Sequence, residues 1–452
     1  MAGHFCGFGP LPSWEYCDKY MKKAKELASS LKGMHDILPE EERYYAHILG
    51  VARDIAEWYG FQTIALPHLE KTDLFEASVG EATDIVEKQM YSFHTKGGDA
   101  VTLRPEGTAP VTRAYLEHGM HTLPQPVKLF YSGAFFRHEN PQAGRKREFY
   151  QAGLEIVGDT EPINDALVIR LFFLIARELG IPLTFALNSI GDQECRPAYR
   201  KDLTAYYRRH LARLCGDCRR RFKINPFRLL DCKEETCRAI RERAPKMIER
   251  LCEPCKRHFD EVKEFLDAVH VPYEIDPFLV RGLDYYTRTV FESFASDHES
   301  ADFALASGGR YDGLAKALGS SREVNAVGGA MGVDRFVEIM HAREARDKKV
   351  LIKKEMPLVF VIQLGQTAKK KLFGWIEEFR RAGLPVVHSL SRDSLKAQLK
   401  LADRMNTPWT VMVGQKEALD GTAIIRDMIS GEQETVPLTK LVFVLKGKIK
   451  KK

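Results

Sequence analysis

The chain has 452 residues, too long for one ordinary hydrophobic core, so we expect about two to four domains. Hydrophobic residues make up 44% and charged residues 29%, the balance of a globular protein. There is no apolar run of about 18 residues, so we predict no membrane span. The net charge of +6 is compatible with a nucleic-acid partner but does not require one.

The N-terminus lacks the basic and apolar regions of a secretory signal. Residues 1–30 are therefore interpreted as an N-terminal extension without an assigned role. Nine cysteines, an odd number in a chain without a signal, predict a reducing compartment and no structural disulfides. The expected location is cytoplasmic.

A helix followed by a strand opens the folded region. Asp36, Pro39 and the three glutamates that follow are typical of a helix N-terminus. Apolar residues then recur at helical spacing until Gly60 ends the pattern. Residues 61–66 are predicted to form a strand that ends at Pro67.

Strands are predicted over residues 127–131 and 134–136, and a further strand over residues 147–157. In the last of these, alternation places Phe149, Gln151 and Glu155 on one face, while the alternate positions are apolar. The apolar set is the expected core face. The partly polar set must therefore point into something other than the core.

A polar loop from His138 to Lys146 precedes the last of these strands, and together with the flanking Arg137 and Arg147 it is dense in arginine and carboxylate. Arginine forks match phosphate oxygens, and the ring of Phe149 could stack on a base. An exposed, salt-bridged hairpin would have the same composition. The loop alone leaves both interpretations open.

Three later segments combine glycine with charged or aromatic residues. Residues 279–289 place two tyrosines between two arginines, which are costly to bury without partners. Residues 307–314 are rich in glycine and allow close backbone approach to a ligand. Residues 328–335 form a glycine-rich strand that turns into a helix, an arrangement that suits phosphate. A half-exposed strand, a tight turn and simple packing are the corresponding structural alternatives.

Two further regions differ in composition and predicted structure from the segments described so far. Residues 195–270 are rich in charge and cysteine and are predicted to be a helical insertion. A helix from Asp334 to about Arg346 and a charged linker over residues 347–355 follow. After Pro357, strands alternate with helices, which predicts a small α/β domain with a largely parallel sheet.

The insertion contains two C-x-x-C pairs. Such pairs suggest a tetrahedral zinc site. The separation between them exceeds that of a usual zinc ribbon, so we assign no metal ligand from the sequence. The pairs are Cys215 with Cys218 and Cys252 with Cys255, and they bracket Cys232 and Cys237.

In this order, the segments resemble the class II aminoacyl-tRNA synthetases. The helix, strand and Pro67 resemble motif 1, the dimer-interface element of that class. Residues 137–149 resemble motif 2, and residues 328–335 resemble motif 3. The resemblance extends from about residue 33 to about residue 444.

Two peptides make the resemblance more specific. Residues 281–286, RGLDYY, and 308–313, GGRYDG, are similar to the peptides peculiar to histidyl-tRNA synthetases. Residues 104–108, RPEGT, also match that family. Similar catalytic cores occur in the regulatory subunits of ATP phosphoribosyltransferase, which are not catalysts. Those proteins normally lack an anticodon domain and have degenerate histidine peptides, so we treat them as the alternative.

The resemblance implies an α+β fold. It consists of a class II antiparallel-sheet catalytic domain over residues 31–346, with the helical insertion at 195–270, and a C-terminal α/β anticodon-binding domain over 357–446. The implied activity joins L-histidine to tRNA-His, using ATP and Mg²⁺ through a histidyl-adenylate. The implied assembly is a homodimer without a membrane partner.

The resemblance also implies a set of site residues. The polar residues expected to contact the ammonium and imidazole groups of histidine are Glu106, Gly107, Thr108, Gln151, Glu155, Tyr285 and Tyr286. The residues expected to bind ATP are Arg137, Glu139, Phe149 and Arg335. Arg137 and Arg281 are the implied catalytic residues, because the reaction builds negative charge at the α-phosphate and their cations would stabilise it. Both are also expected to contact histidine.

Overall fold

The computed structural model describes residues 29–80, 83, 85–140, 145–296, 303–348, 352, 357–391 and 393–449. The chain divides into two compact units at residues 351 and 352. Nearly all of the predicted N-terminal extension, most of the predicted linker and part of the loop after Arg137 lie outside the described residues.

The first unit combines a large sheet, a small sheet and surrounding helices. Its strands are β1 (Gln62–Thr63), β2 (Leu69–Lys71), β3 (Tyr91–His94), β4 (Ala100–Leu103), β5 (Val127–Phe136), β6 (Glu148–Val157), β7 (Leu183–Ser189), β8 (Tyr273–Ile275), β9 (Thr287–Ala295), β10 (Ala306–Arg310) and β11 (Ala326–Gly332). Its α-helices are α1 (Pro39–Trp58), α2 (Thr72–Val79), α3 (Thr108–Glu117), α4 (Pro162–Glu178), α5 (Arg196–Arg208), α6 (Gly216–Ile224), α7 (Glu235–Arg241), α8 (Glu253–Ala268), α9 (Leu314–Ala317) and α10 (Val333–Asp347).

The large sheet has eight strands in the order β1-β5-β6-β11-β10-β9-β7-β8. Its central pairs are antiparallel, whereas the edge strands β1 and β8 run parallel to their neighbours β5 and β7. The small sheet is antiparallel, in the order β2-β4-β3. Helices α5 to α8 all fall within the segment predicted to be a helical insertion.

Helix α1 begins at Pro39, as the sequence predicts, with three glutamates in its first turn. The strand after it is shorter than predicted, covering Gln62–Thr63 and not residues 61–66. The physical reason is an alternative hydrogen-bond donor. The buried Arg104 side chain donates to the carbonyl oxygen of Leu66 at 2.8 Å, so this carbonyl is bonded by a side chain and not by a strand.

Strand β6 has the two faces predicted from its alternation. Ala152, Leu154 and Ile156 are buried in the core. Strand β11 approaches β10 and β6 closely. A Cβ added at Gly308 would lie 2.2 Å from the Gly328 carbonyl oxygen, so glycine here serves the packing of two strands.

A buried ion pair joins the sheet to a helix. Arg310 on β10 has no exposed surface, and its Nη2 lies 2.5 Å from Oδ2 of Asp165 on α4. His258 on α8 contacts the other carboxylate oxygen of Asp165 at 3.1 Å. Although burial raises the pKa of Asp165, Arg310 and His258 hold it at about 2.

The second unit has a hydrophobic core of its own. Its strands are β12 (Val359–Gln363), β13 (Val386–His388), β14 (Trp409–Val413), β15 (Thr422–Asp427) and β16 (Gln433–Pro437). Its α-helices are α11 (Gln366–Arg381), α12 (Leu395–Arg404), α13 (Gln415–Asp420) and α14 (Leu438–Ile449).

The sheet of the second unit is mixed, which corrects the prediction of a largely parallel sheet. Strand β12 is parallel to both β13 and β14, but β14–β15 and β15–β16 are antiparallel. The connection from β15 to β16 is a short turn with Gly431 at φ +78°, and a parallel return would need a crossover of about a dozen residues. The α+β fold class with an α/β second unit is nevertheless confirmed.

A search of the described residues finds no helix that combines the length and apolar character needed to cross a membrane.

Candidate active site

One cavity of the first unit, about 240 Å³ in volume, brings together nearly all of the predicted site residues. Strands β6, β10 and β11 form part of its wall. The predicted residues that line it are Glu106, Gly107, Thr108, Arg137, Glu139, Phe149, Gln151, Arg281, Tyr285, Tyr286 and Arg335. Glu155 is the exception, and it lies beneath the wall.

Sheet register explains why distant segments meet here. Strand β11 pairs antiparallel with β6, so that Gln151 lies opposite Gly332. Arg335 follows in the first turn of α10, three residues after Gly332. The polar face of β6 therefore borders the glycine-rich strand, as expected if both segments serve one site.

A buried carboxylate stands at one end of the cavity. The oxygens of Glu106 accept hydrogen bonds from the backbone N–H groups of Thr108 at 2.7 Å and Ala109 at 2.9 Å. The hydroxyl of Tyr285 donates to the same carboxylate at 3.2 Å. Burial raises the pKa of Glu106, and these hydrogen bonds partly oppose that effect. A carboxylate held in this way suits a cationic ligand group.

Arg137 is oriented by the main chain. Its Nε donates to the carbonyl oxygen of Pro105 at 2.9 Å, and its guanidinium lies 5.2 Å from the centre of the Phe149 ring. Glu139, two residues on, forms an ion pair with Arg145 at 3.3 Å. The cavity thus contains a cation, an aromatic ring and a carboxylate within one short hairpin.

Arg281 is held by two residues that the sequence did not assign to the site. It donates to the carboxylate of Glu292 and, at 2.8 Å, to the hydroxyl of Ser307. Glu292 on β9 and Ser307 on β10 lie directly opposite each other in the sheet. Side chains alternate along a strand, so Glu292 points away from the core face that the buried Phe291 occupies. This alternation is the sequence signal that could have identified Glu292.

Arg335 and its neighbour Asp334 fix the start of α10. The guanidinium of Arg335 donates to the carbonyl oxygen of Ala304. Asp334 accepts hydrogen bonds from the backbone N–H of Tyr150 at 2.6 Å and from the hydroxyl of Tyr45 at 2.7 Å. Lys146 also contacts Asp334, at 2.9 Å. No role was predicted for Asp334 or Lys146. Their ion pair joins two residues that are far apart in the chain, so local sequence patterns do not indicate it.

Glu155 is fully buried, and its oxygens are occupied by hydroxyl groups. Thr108 donates to it at 2.8 Å and Tyr311 at 2.6 Å, while Tyr131 lies at 3.5 Å. Burial raises the pKa of Glu155 to about 8, although these hydrogen bonds favour the charged form.

Tyr131 lies between Glu155 and the cavity. A Cβ added at Gly107 or Gly153 would come within 2.3 Å or 2.1 Å of the Tyr131 ring, so both glycines make room for it. The sequence predicts that Glu155 faces the imidazole of histidine, and this role stays a prediction. In the structure its carboxylate accepts hydrogen bonds from the hydroxyl groups of Thr108 and Tyr311.

Comparison with known proteins agrees with this geometry. The profile of the family described as histidyl-tRNA synthetase matches residues 33–336, and that of an anticodon binding domain matches residues 358–448. The chain belongs to the histidyl-tRNA synthetase family. The resemblance predicted from the sequence is confirmed.

Similar proteins share nearly the whole length of the chain. A histidine–tRNA ligase of Dehalococcoides mccartyi is 42% identical over 94% of this chain and 100% of its own. One from Desulforamulus reducens is 41% identical over 93% and 100%. The crystal structure of apo S. aureus histidyl-tRNA synthetase has a TM-score of 0.75 at 31% identity, covering 92% of this chain and 99% of that one. The alternative of a phosphoribosyltransferase regulatory subunit is not favoured.

Replacing Glu155 by glutamine should change how stability depends on pH. The pKa of this carboxyl rises from an ordinary 4.5 to about 8 on folding, so between those values the folded protein holds a proton that the unfolded chain releases. The contribution of Glu155 to the free energy of unfolding should therefore fall as pH rises from about 5 to 8, by on the order of a few kcal/mol. Glu155→Gln cannot ionise, so its profile should be flatter.

Urea denaturation at several pH values measures both profiles. Glu323→Gln, at an exposed position, is the matched control and should keep the wild-type slope. Equal slopes for the wild type and Glu155→Gln would show that Glu155 is not the titrating group.

Proposed function

We propose that this chain is a histidine–tRNA ligase. It activates L-histidine with ATP to histidyl-adenylate and pyrophosphate, and then transfers histidine to the 3′ end of tRNA-His. The observation that carries the proposal is the convergence of Arg137, Arg281 and Arg335 on one cavity that also contains the carboxylate of Glu106. Such a cavity suits a polyphosphate together with an amino acid.

The first step joins the substrate carboxylate to the α-phosphorus. A carboxylate oxygen forms the new bond to phosphorus, and pyrophosphate leaves from the opposite side. Negative charge grows on the nonbridging oxygens, where Arg137 and Arg281 are proposed to lie. Because Glu292 and Ser307 already hold Arg281 in place, little reorganisation is needed as the charge develops.

The nucleotide is proposed to lie along the motif 2 hairpin. Phe149 would stack on adenine, Glu139 would contact its amino group, and Arg335 would cover the opposite face and reach the γ-phosphate. Mg²⁺ would bind the pyrophosphate part of ATP and neutralise charge on its phosphates.

The histidine pocket is proposed to contact both the ammonium group and the imidazole ring of the substrate. Glu106, Gly107, Thr108 and Gln151 would hold the ammonium group. Tyr285 and Tyr286 would face the imidazole, with Glu155 beneath them orienting the hydroxyls of Thr108 and Tyr131. An analogue without ring nitrogens would leave buried polar groups unpaired, which discriminates strongly.

The second unit is proposed to bind the anticodon of tRNA-His. Its match to an anticodon binding domain and its separate core support this role. We also propose a cytoplasmic location. The cysteines among the described residues are free thiols, which fits a reducing compartment.

Pyrophosphate exchange across the standard amino acids tests the proposed chemistry. Exchange should depend on histidine, and Arg281→Ala should slow it by about a hundredfold or more, because a cation at the α-phosphate is lost. Arg322→Ala, an exposed arginine outside the cavity, is the matched control and should retain full exchange. Exchange with another amino acid, or undiminished exchange in Arg281→Ala, would contradict the proposal.

Removing the second unit should separate activation from charging. A chain that ends at Leu351 keeps the whole cavity, so histidine-dependent exchange should remain measurable. Charging of tRNA-His should fall at least about tenfold further than exchange, mostly through a raised KM for tRNA. Equal losses would mean that the second unit supports the active site and does not recognise tRNA.

A homodimer is the proposed assembly. It is motivated by the resemblance of the α1–β1 region to motif 1 and by Trp58, which is 85% exposed at the end of α1. Light scattering at micromolar concentration should give twice the 51.4 kDa mass of one chain. Trp58→Glu should increase the monomer fraction, whereas Ile429→Glu, on an equally exposed residue of the second unit, should not. A wild-type monomer with full activity would contradict this assembly.

A further inference from the structure

The cysteines of the first unit form two separate groups, and the proposed function uses neither. In each group the candidate ligand atoms all lie within 4.8 Å of one another. The two C-x-x-C pairs belong to different groups and do not form one four-cysteine cluster. The first group is Cys215, Cys218, Cys232 and Cys237, and the second is Asp192, Cys195, Cys252 and Cys255.

The spacing in the first group matches a mononuclear metal site. The sulfur atoms of Cys215 and Cys232 are 3.9 Å apart. A tetrahedral zinc ion with bonds of about 2.3 Å holds two sulfurs about 3.8 Å apart. A disulfide would need about 2.05 Å, and the cysteines here are free thiols. All four sulfurs lie within 4.8 Å of one another, so the group is compact enough to surround one ion.

The second group repeats this arrangement with one carboxylate. The sulfurs of Cys195 and Cys255 are also 3.9 Å apart. Oxygens of Asp192 lie 2.9 Å from the sulfur of Cys255, 3.5 Å from that of Cys195 and 3.9 Å from that of Cys252. About 3.5 Å is expected between an oxygen and a sulfur ligand of tetrahedral zinc. Asp192 precedes Cys195 by three residues, the spacing found within each C-x-x-C pair.

Backbone groups are arranged to stabilise thiolates. The N–H of Cys218 points to the sulfur of Cys215 at 3.4 Å, and that of Cys215 points to the sulfur of Cys237 at 3.3 Å. In the second group the N–H of Asp192 points to the sulfur of Cys195 at 3.3 Å. Cys215, Cys195 and Cys252 also each precede the first residue of a helix, where the helix dipole favours negative charge.

We propose that the insertion and the segment leading into it bind two structural zinc ions, one in each group. Four protein ligands per ion leave no open position, which distinguishes a structural from a catalytic site. Thiolates are soft ligands that select zinc over magnesium or calcium. Arg288 contacts Asp192 at 3.3 Å, so the second group has a charged partner outside its ligands.

The two ions bind different parts of the insertion. The first joins the start of α6 to α7, and the second joins the starts of α5 and α8. Arg196, next to Cys195, donates to the carbonyl oxygens of Ile190 and Tyr286. The second ion therefore also supports the main chain that carries Tyr286 into the active-site cavity.

Elemental analysis of the untagged full-length chain tests the proposal without reference to activity, so its failure is distinguishable from failure of the proposed function. Protein produced with added zinc and purified without chelators should contain two zinc ions per chain. Cys218→Ser and Cys255→Ser should each contain one, and the double variant none. Cys17→Ser, at a cysteine outside the described residues, should keep two.

Reconstitution of the wild-type chain with Co²⁺ alone provides a second measurement if the variants do not fold. Two equivalents should give the intense absorption bands of tetrahedral cobalt bound to thiolate, and zinc should displace them. Fewer than two zinc ions in the wild type, iron in place of zinc, or no thiolate–cobalt bands would overturn the proposal. Loss of zinc in Cys17→Ser would overturn the assignment of ligands.

Discussion

Arg310 places a positive charge in the interior of the first unit, where its side chain has no exposed surface. Asp165 compensates this charge through contacts to both the Nε and Nη2 atoms. Asp312 provides a second contact to Arg310, at 3.2 Å. A buried ion pair adds little net stability, but removal of one partner costs up to about 3–5 kcal/mol, because the remaining buried charge is less well compensated. Strand β10 and helix α4 are therefore held in one relative position.

The ion pair of Asp165 with Arg310 also connects to the insertion and to the active-site cavity. His258 attaches α8 to Asp165, and α8 also carries Cys255 of the second cysteine group. In the other direction, β10 carries Ser307, which holds Arg281 in the cavity. The sheet, the covering helix and the insertion thus meet at one buried charge. Through side-chain contacts and the main chain of α8 and β10, this charge links the proposed metal site to the proposed catalytic arginine.

Local patterns predicted much of this architecture. The start of α1 at Pro39 and the two faces of β6 followed from residue types and spacing. The sequence did not predict that Glu292 holds Arg281, that Asp192 joins three cysteines, or that Glu155 lies behind Tyr131. These contacts join residues far apart in the chain. They depend on which strands pair and in what register, and the hydrophobic periodicity within a single segment does not specify either. The β15–β16 hairpin was missed because the parallel sheet was inferred from the strand–helix alternation up to Val413, and both strands of the hairpin follow that residue.

The contact between Arg137 and Pro105 has a consequence for how this site tolerates genetic change. Its acceptor is a main-chain carbonyl, which every amino acid at position 105 would supply. A point mutation can alter the backbone path there but cannot delete the oxygen. Arg281, in contrast, relies on the side chains of Glu292 and Ser307, each of which a single codon change can remove. Accumulated substitutions should therefore remove the hydrogen bonds that position Arg281 sooner than the one that positions Arg137.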